Sequence, residues 1–147
     1  MNKKYLFLGA CAVAAVGAIA FLRSEPTQGI PPATGLASQA ADTAMVAITM
    51  PDISGNAAVG QNIFENICAA CHGAQGVGNA EAGPPLIHKI YEPSHHGDES
   101  FQRAVAHGVR AHHWRFGDMP PVEGLTRGDV AMVIDYIRAI QRANGIN

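Results

Sequence analysis

The hydropathy pattern divides the chain into three stretches. An uncharged, mostly apolar run extends from Tyr5 to Leu22, behind Lys3 and Lys4. Such a run behind a positive start predicts an export signal or a membrane anchor, with the lysines favouring a cytoplasmic N-terminus and an exported C-terminus. Ala18-Ile19-Ala20 offers a cleavage site. The run is nonetheless long enough to span a bilayer, and Arg23 follows it as a stop, which favours retention. Leu8-Gly9-Ala10-Cys11 has the form of a lipid-attachment box, but apolar sequence continues past it. Cys11 therefore reads better as a small residue in an apolar helix. From Ser24 to about Met50, Ala, Thr, Pro, Gly and Ser dominate without helical period, the pattern of a tether. A flexible stretch of that length has an r.m.s. reach of roughly 30 Å.

From Asp52 the period becomes helical. Asn56 is placed to cap a helix running to about Cys68, with Gly60, Phe64 and Cys68 on one face and Ile63 and Ile67 together. Gly73 to Pro85, rich in Gly and Pro, predicts a loop. Asp98 is placed to cap a short helix through Phe101 and Val105 that ends at Gly108, and Arg110 to Gly124 predicts a second loop. Thr126 with Asp129 forms a capping box for a last helix, whose apolar stripe is Val130, Val133, Ile134, Ile137 and Ile140. Arg138 and Arg142 suit its negative end, and Gly145 stops it. The expectation is an all-α domain at 52–147, after a leader at 1–22 and a linker at 23–51.

Composition narrows the classes. At 147 residues there is room for one domain plus extensions. Ten Lys and Arg against twelve Asp and Glu leave a mildly acidic chain with no basic stripe, which argues against nucleic acid as a partner. Aromatics are only 6%, so a protein core alone would be modest.

The chemistry-bearing run is Cys68-Ala69-Ala70-Cys71-His72. C-x-x-C-H is the attachment signature of c-type haem: two thiols at short spacing add to the two vinyl groups, and the adjacent imidazole falls under the iron. Half a zinc site would need a second C-x-x-C, which is absent, and His88 is too distant for finger spacing. A thioredoxin-type dithiol would need a strand-turn-helix setting, which the pattern lacks.

From about Asp52 to Asn147 the chain resembles a class I cytochrome c. The resemblance rests on Gly60 and Phe64 leading into C-x-x-C-H, on Gly83-Pro84-Pro85-Leu86, on Met119-Pro120-Pro121, and on Tyr136 in the last amphipathic helix, in that order. It implies three to five helices around one covalently bound haem c. Cys68 and Cys71 would be the thioether attachments, His72 the proximal iron ligand and Met119 the distal one. Pro84 would supply the carbonyl that accepts the His72 ring N–H, fixing the ring and raising its basicity. Gly60 would let the first and last helices cross closely, with Phe64 and Tyr136 beside the crossing. Met132, Met45 and Met50 are weaker candidates for the iron, while His112 and His113 are rivals to Met119. The choice sets the potential, which Met/His ligation raises and bis-His ligation lowers.

All seven histidines lie from His72 onward. The pairs His95-His96 and His112-His113 could hold a second metal such as copper or zinc; the blander reading has them exposed, or bonded to propionates and backbone. Trp114, Arg115 and Tyr91 are further candidates to bond the propionates.

By resemblance, the chain is a non-enzymatic single-electron carrier on the periplasmic side of the bacterial inner membrane, anchored or released after cleavage. Its donor would be a quinol-oxidising complex or a dehydrogenase, and its acceptor a terminal oxidase or reductase. Two other classes stay open: a haem enzyme or gas- or peroxide-binding protein with an open iron, and a haem protein that handles copper at its histidines.

Overall fold

The last helix carries the fold. In a computed structural model that describes residues 43–147, four α-helices follow one another: α1 (Asn56–Ile67), the single turn α2 (Ala69–His72), α3 (Asp98–His107) and α4 (Arg127–Ala143). Short 3-10 turns occupy Ala74–Gly76 and Lys89–Tyr91. Among the described residues there is no sheet, only isolated antiparallel bridges between Asn79 and Gly83 and between Val109 and Met119. The domain is all-α, as the pattern requires.

The expected α4 stripe is buried at all five positions. It meets α1 at Gly60, where an added Cβ would lie 1.8 Å from the Met132 carbonyl oxygen. Backbone therefore rests on backbone, and only glycine fits. One turn further on, Phe64 and Tyr136, both 0% exposed, pack with ring centroids 5.6 Å apart. Ile87, Val133, Ile137 and Ile140 complete this core. The Tyr136 hydroxyl donates to Glu65 at 3.1 Å. Burial first, then the Glu65 charge, pushes that hydroxyl well above the usual tyrosine range.

Helix ends follow local chemistry, with two corrections. Thr126 and Asp129 form the predicted capping box, and the Thr126 bonds hold the Asp129 carboxyl below its ordinary value. At the other end Gly145 N–H donates to Arg142 and Ile146 N–H to Gln141, the double bond of a Schellman stop. Asn56 and Asp98 are not caps. Each is the first helical residue, and the cap is the preceding glycine, Gly55 or Gly97, without a side-chain bond. The Gly55 carbonyl accepts from Ala58 and Val59 N–H, so the backbone turn itself starts α1. The Asp98 carboxylate is drawn instead to Arg138 Nε, at 2.9 Å.

Arg138 is the third correction. It is not an exposed cation at the helix end but is 6% exposed on the core side. Its guanidinium donates to the Tyr91 carbonyl, the His96 carbonyl and Gln141 Oε1, each at 2.6 Å, and lies 5.0 Å from the Phe101 ring centroid. Gln141, fully buried beside it, donates to the Leu86 and Tyr91 carbonyls. Two polar side chains of α4 thus hold the whole Leu86–His96 segment through its backbone.

The expected linker is shorter at its C-terminal end. The Met45 and Val46 amides donate to the Val77 carbonyl, and the Ala80 amide donates to Thr43. Asn144 both accepts from and donates to Thr49, at 2.7 and 2.8 Å. Ile48, Met50 and Ile53 pack against the core. Apolar side chains within the polar stretch dock it, so ordered contacts reach back to Thr43. The leader at 1–22, the Ala20 cleavage site, Cys11 and the linker through residue 42 lie outside the described residues. Among the described residues no helix is long and apolar enough to cross a membrane.

Two substitutions test this frame. Gly60→Ala forces the two backbones apart and should lower unfolding stability by at least about 2 kcal/mol in a denaturant titration. Arg138→Met leaves the His96 carbonyl and the buried Gln141 Oε1 without their donor and should cost about 3 kcal/mol by the same measurement.

Candidate functional site

The end of α1 sets up the site. Cys68 N–H closes the helix on the Phe64 carbonyl at 2.8 Å, and the chain then takes one further turn in which His72 N–H bonds the Cys68 carbonyl at 2.9 Å. A three-residue spacing on such a turn brings Cys68 and Cys71 to the same side. They are the free thiols of the described residues, Cys68 half-buried and Cys71 exposed. Burial, with added repulsion from Cys71 and Glu65, pushes the Cys68 thiol up to about 11.

His72 Nδ1 lies 2.9 Å from the Pro84 carbonyl oxygen. A carbonyl only accepts, so Nδ1 carries the proton and Nε2 keeps its lone pair. Burial lowers the pKa of the ring and outweighs the opposing pull of that bond, so the imidazole is held neutral. The bond is possible because the Gly83–Pro85 loop presses on the C-x-x-C-H turn. A Cβ on Gly83 would be 2.7 Å from the Cys71 carbonyl oxygen.

Met119 comes from the second loop. Its backbone exchanges two bonds with Val109, both 2.9 Å, and Asp118 accepts from the Ala111 amide at 2.8 Å. The loop is thereby fastened to the end of α3. Cys68, Cys71, His72, Pro84 and Met119, scattered over fifty residues of sequence, all line one cavity of about 740 Å³. Its other walls include Leu86, Phe101, Phe116, Leu125 and Val133. Ile67, 44% exposed, lies at its edge beside the thiols.

One of the residues along the cavity, Trp114, carries an unanswered polar atom. The Trp114 indole N–H is buried and has no hydrogen-bonded partner. Burial pushes the Tyr91 hydroxyl up and the neighbouring indole partly offsets this, yet the pair does not reach bonding geometry. Arg115, the other expected propionate partner, lies over the Phe116 ring at 5.9 Å.

A sequence model of the family described as Cytochrome c matches residues 57–141. The chain belongs to the cytochrome c family. No curated protein and no solved structure matches it.

The family binds haem c covalently, with its iron, and that is the cofactor of this cytochrome domain. The residues fit it. Two thiols stand at one edge of an apolar cavity, and a neutral imidazole and a thioether line it. The fold and the haem expectation thus stand together.

The remaining histidines diverge. His88 Nδ1 accepts from the Ile90 amide, and its ring meets Trp114 edge-on at 5.2 Å. His107 is exposed. The two adjacent pairs, unexpectedly, come together: His95 Nε2 is 3.4 Å from His113 Nε2, and the His96 and His112 rings stack at 6.0 Å. Slight desolvation, then the nearby His112, His96 and His95, hold His113 below the ordinary histidine range. Sequence reasoning offered the two pairs for a second metal, against the blander reading of exposed rings. Equal residue types in two loops that must close over one cavity were the available signal.

Replacing the thiols separates covalent from coordinate attachment. Cys68→Ala and Cys71→Ala should each retain haem through one thioether, with the haemochrome band moved to longer wavelength by the unreacted vinyl. The double variant should lose all haem stain on a denaturing gel.

Proposed function

We propose that this cytochrome c domain is a single-electron carrier whose iron is held from both sides by its own residues, His72 and Met119. When bound, the haem iron supplies a one-electron ferrous–ferric couple. Haem-based electron transfer is the property of the family; the closed, two-ligand site is the finer reading. The observation that supports it most is the pairing within one cavity of two pre-set donors. The His72 ring is fixed by the Pro84 carbonyl, and the Met119 backbone is fastened to Val109. Residues held this firmly change little between oxidation states, which suits outer-sphere transfer. Buried apolar walls keep water out and favour the less charged, reduced form.

The exit for electrons is the cavity edge at Cys71 and Ile67, both exposed. A small apolar edge on a mildly acidic domain suits brief, weak encounters below about 1,200 Å² of interface. The uncharged run from Tyr5 to Leu22 supports an exported protein on the periplasmic side of a bacterial inner membrane, anchored there or released after cleavage. In that setting the donor would be a quinol-oxidising complex or a dehydrogenase and the acceptor a terminal oxidase or reductase.

Met119→Ala tests the reading. The ferric wild type should carry the weak far-red band of sulfur ligation, and its ferrous form should not bind carbon monoxide. The variant should lose the band, bind carbon monoxide, and fall in midpoint potential by about 0.1 V or more, a fraction of the span that axial ligands command. A wild type that already binds carbon monoxide would instead indicate an open iron and an enzymatic role.

A further inference from the structure

We propose that His95, His96 and His113 form a three-imidazole site for zinc or copper, separate from the haem iron, which couples two loops at the rim of the haem cavity. One ligand nitrogen from each lies within 4.8 Å of the others. The closest pair, His95 Nε2 and His113 Nε2, stand 3.4 Å apart. Two nitrogens bound at 2.0–2.1 Å to one tetrahedral zinc are about 3.3 Å apart, the edge of that tetrahedron. This spacing is therefore already the one that a shared ion demands. The wider separations close by rotation of the rings, two of which are exposed.

The scaffold around the three rings is set in advance. His96 Nδ1 is 2.6 Å from the Ile90 carbonyl oxygen, so Nδ1 donates and Nε2 is left as the ligand atom. A backbone carbonyl on the far nitrogen is the usual outer partner of a metal-bound imidazole, and it fixes both tautomer and ring orientation. The turn that carries His95 and His96 is closed by their own amides on the Glu92 carbonyl, at 3.0 and 2.8 Å. The His96 carbonyl is in turn held by the buried Arg138. His113 belongs to the loop fastened by the Val109–Met119 bridge and by Asp118. Two fixed loops, each bringing imidazole to the same point, make a site rather than an accident of surface side chains.

The donor set selects the ion. Imidazole alone, with no thiolate and no carboxylate among the three, suits zinc and copper and not magnesium or calcium. His112 lies next to the cluster, its ring 4.3 Å from that of His113 and its Nδ1 donating to the Arg110 carbonyl. None of the three is assigned to the haem, and the site rests on the reading that Met119, not its rival His113, takes the iron.

The test is calorimetric titration of the haem-loaded full chain, freed of metal by chelator, with zinc chloride and separately with copper(II) sulfate. One equivalent of at least one of the two ions should bind with a Kd below about 10 μM, a modest affinity on the usual scale. His95→Ala and His113→Ala should each weaken binding about 100-fold, while His107→Ala, an exposed histidine outside the cluster, should leave it unchanged. X-ray absorption at the edge of the bound metal should report a nitrogen shell, at 2.0–2.1 Å for zinc, with multiple scattering from imidazole. Thermal stability of the wild type should rise with metal, because the ion ties two loops, and should not rise in the His95→Ala/His113→Ala double variant. Binding of both ions weaker than about 10 μM, or affinity kept by the double variant, would overturn the proposal.

Discussion

Backbone contact between α1 and α4 at Gly60 is the constraint from which the rest of the domain follows. Nothing but hydrogen fits between Gly60 and the Met132 carbonyl, so the helices cross at a fixed depth. That depth lets Phe64 and Tyr136 pack ring to ring and vanish from solvent. From the crossing α1 runs on to Ile67. The C-x-x-C-H turn grows directly from that end, so the position of the thiols and of His72 is set by the crossing.

The same crossing orients α4, and α4 in turn orders segments that have little structure of their own. Arg138 and Gln141 make four bonds to three carbonyls of the Leu86–His96 backbone, doing for that segment what a helix does for itself. A buried arginine satisfied by carbonyls is specific in a way that an apolar contact is not, because its planar donors fix direction as well as distance. The cavity is thus walled by loops whose conformations are dictated from outside them. Met119 depends on the end of α3 through Val109, and His72 depends on the Gly83–Pro85 loop through Pro84. A cofactor site built from fixed loops needs little rearrangement when charge on it changes, which is the physical demand that electron transfer makes.

What could be read from the sequence was what is local or what a strict spacing encodes. The α4 stripe, the Thr126–Asp129 box and the Gly145 stop depend on neighbours within a turn or two, and each appears as expected. Gly60, Phe64 and Tyr136 were legible through the resemblance, and the structure gives their reason. Asn56 and Asp98 missed as caps by one residue, because a preceding glycine can begin a helix through its carbonyl alone and a carboxylate will turn to a better partner. Arg138 was illegible: two of its four acceptors are backbone carbonyls more than forty residues away, and a carbonyl leaves no mark in sequence. The docking of Thr43 to Met50 was hidden by a composition that reads as tether, with Met45, Ile48 and Met50 too sparse to show a period. The meeting of the two histidine pairs was hidden because it depends on how two loops close, which no spacing within either one encodes.

The central claim, one haem held between position 72 and position 119, is open to a direct measurement. Proton–carbon NMR of the reduced holoprotein, labelled at its methionine methyls, reports on all five methionines at once. Met119 should give one methyl signal far upfield, displaced by the ring current of a macrocycle directly above it, with the others in the ordinary range. Five ordinary signals, or an upfield signal that survives Met119→Leu, would contradict the account.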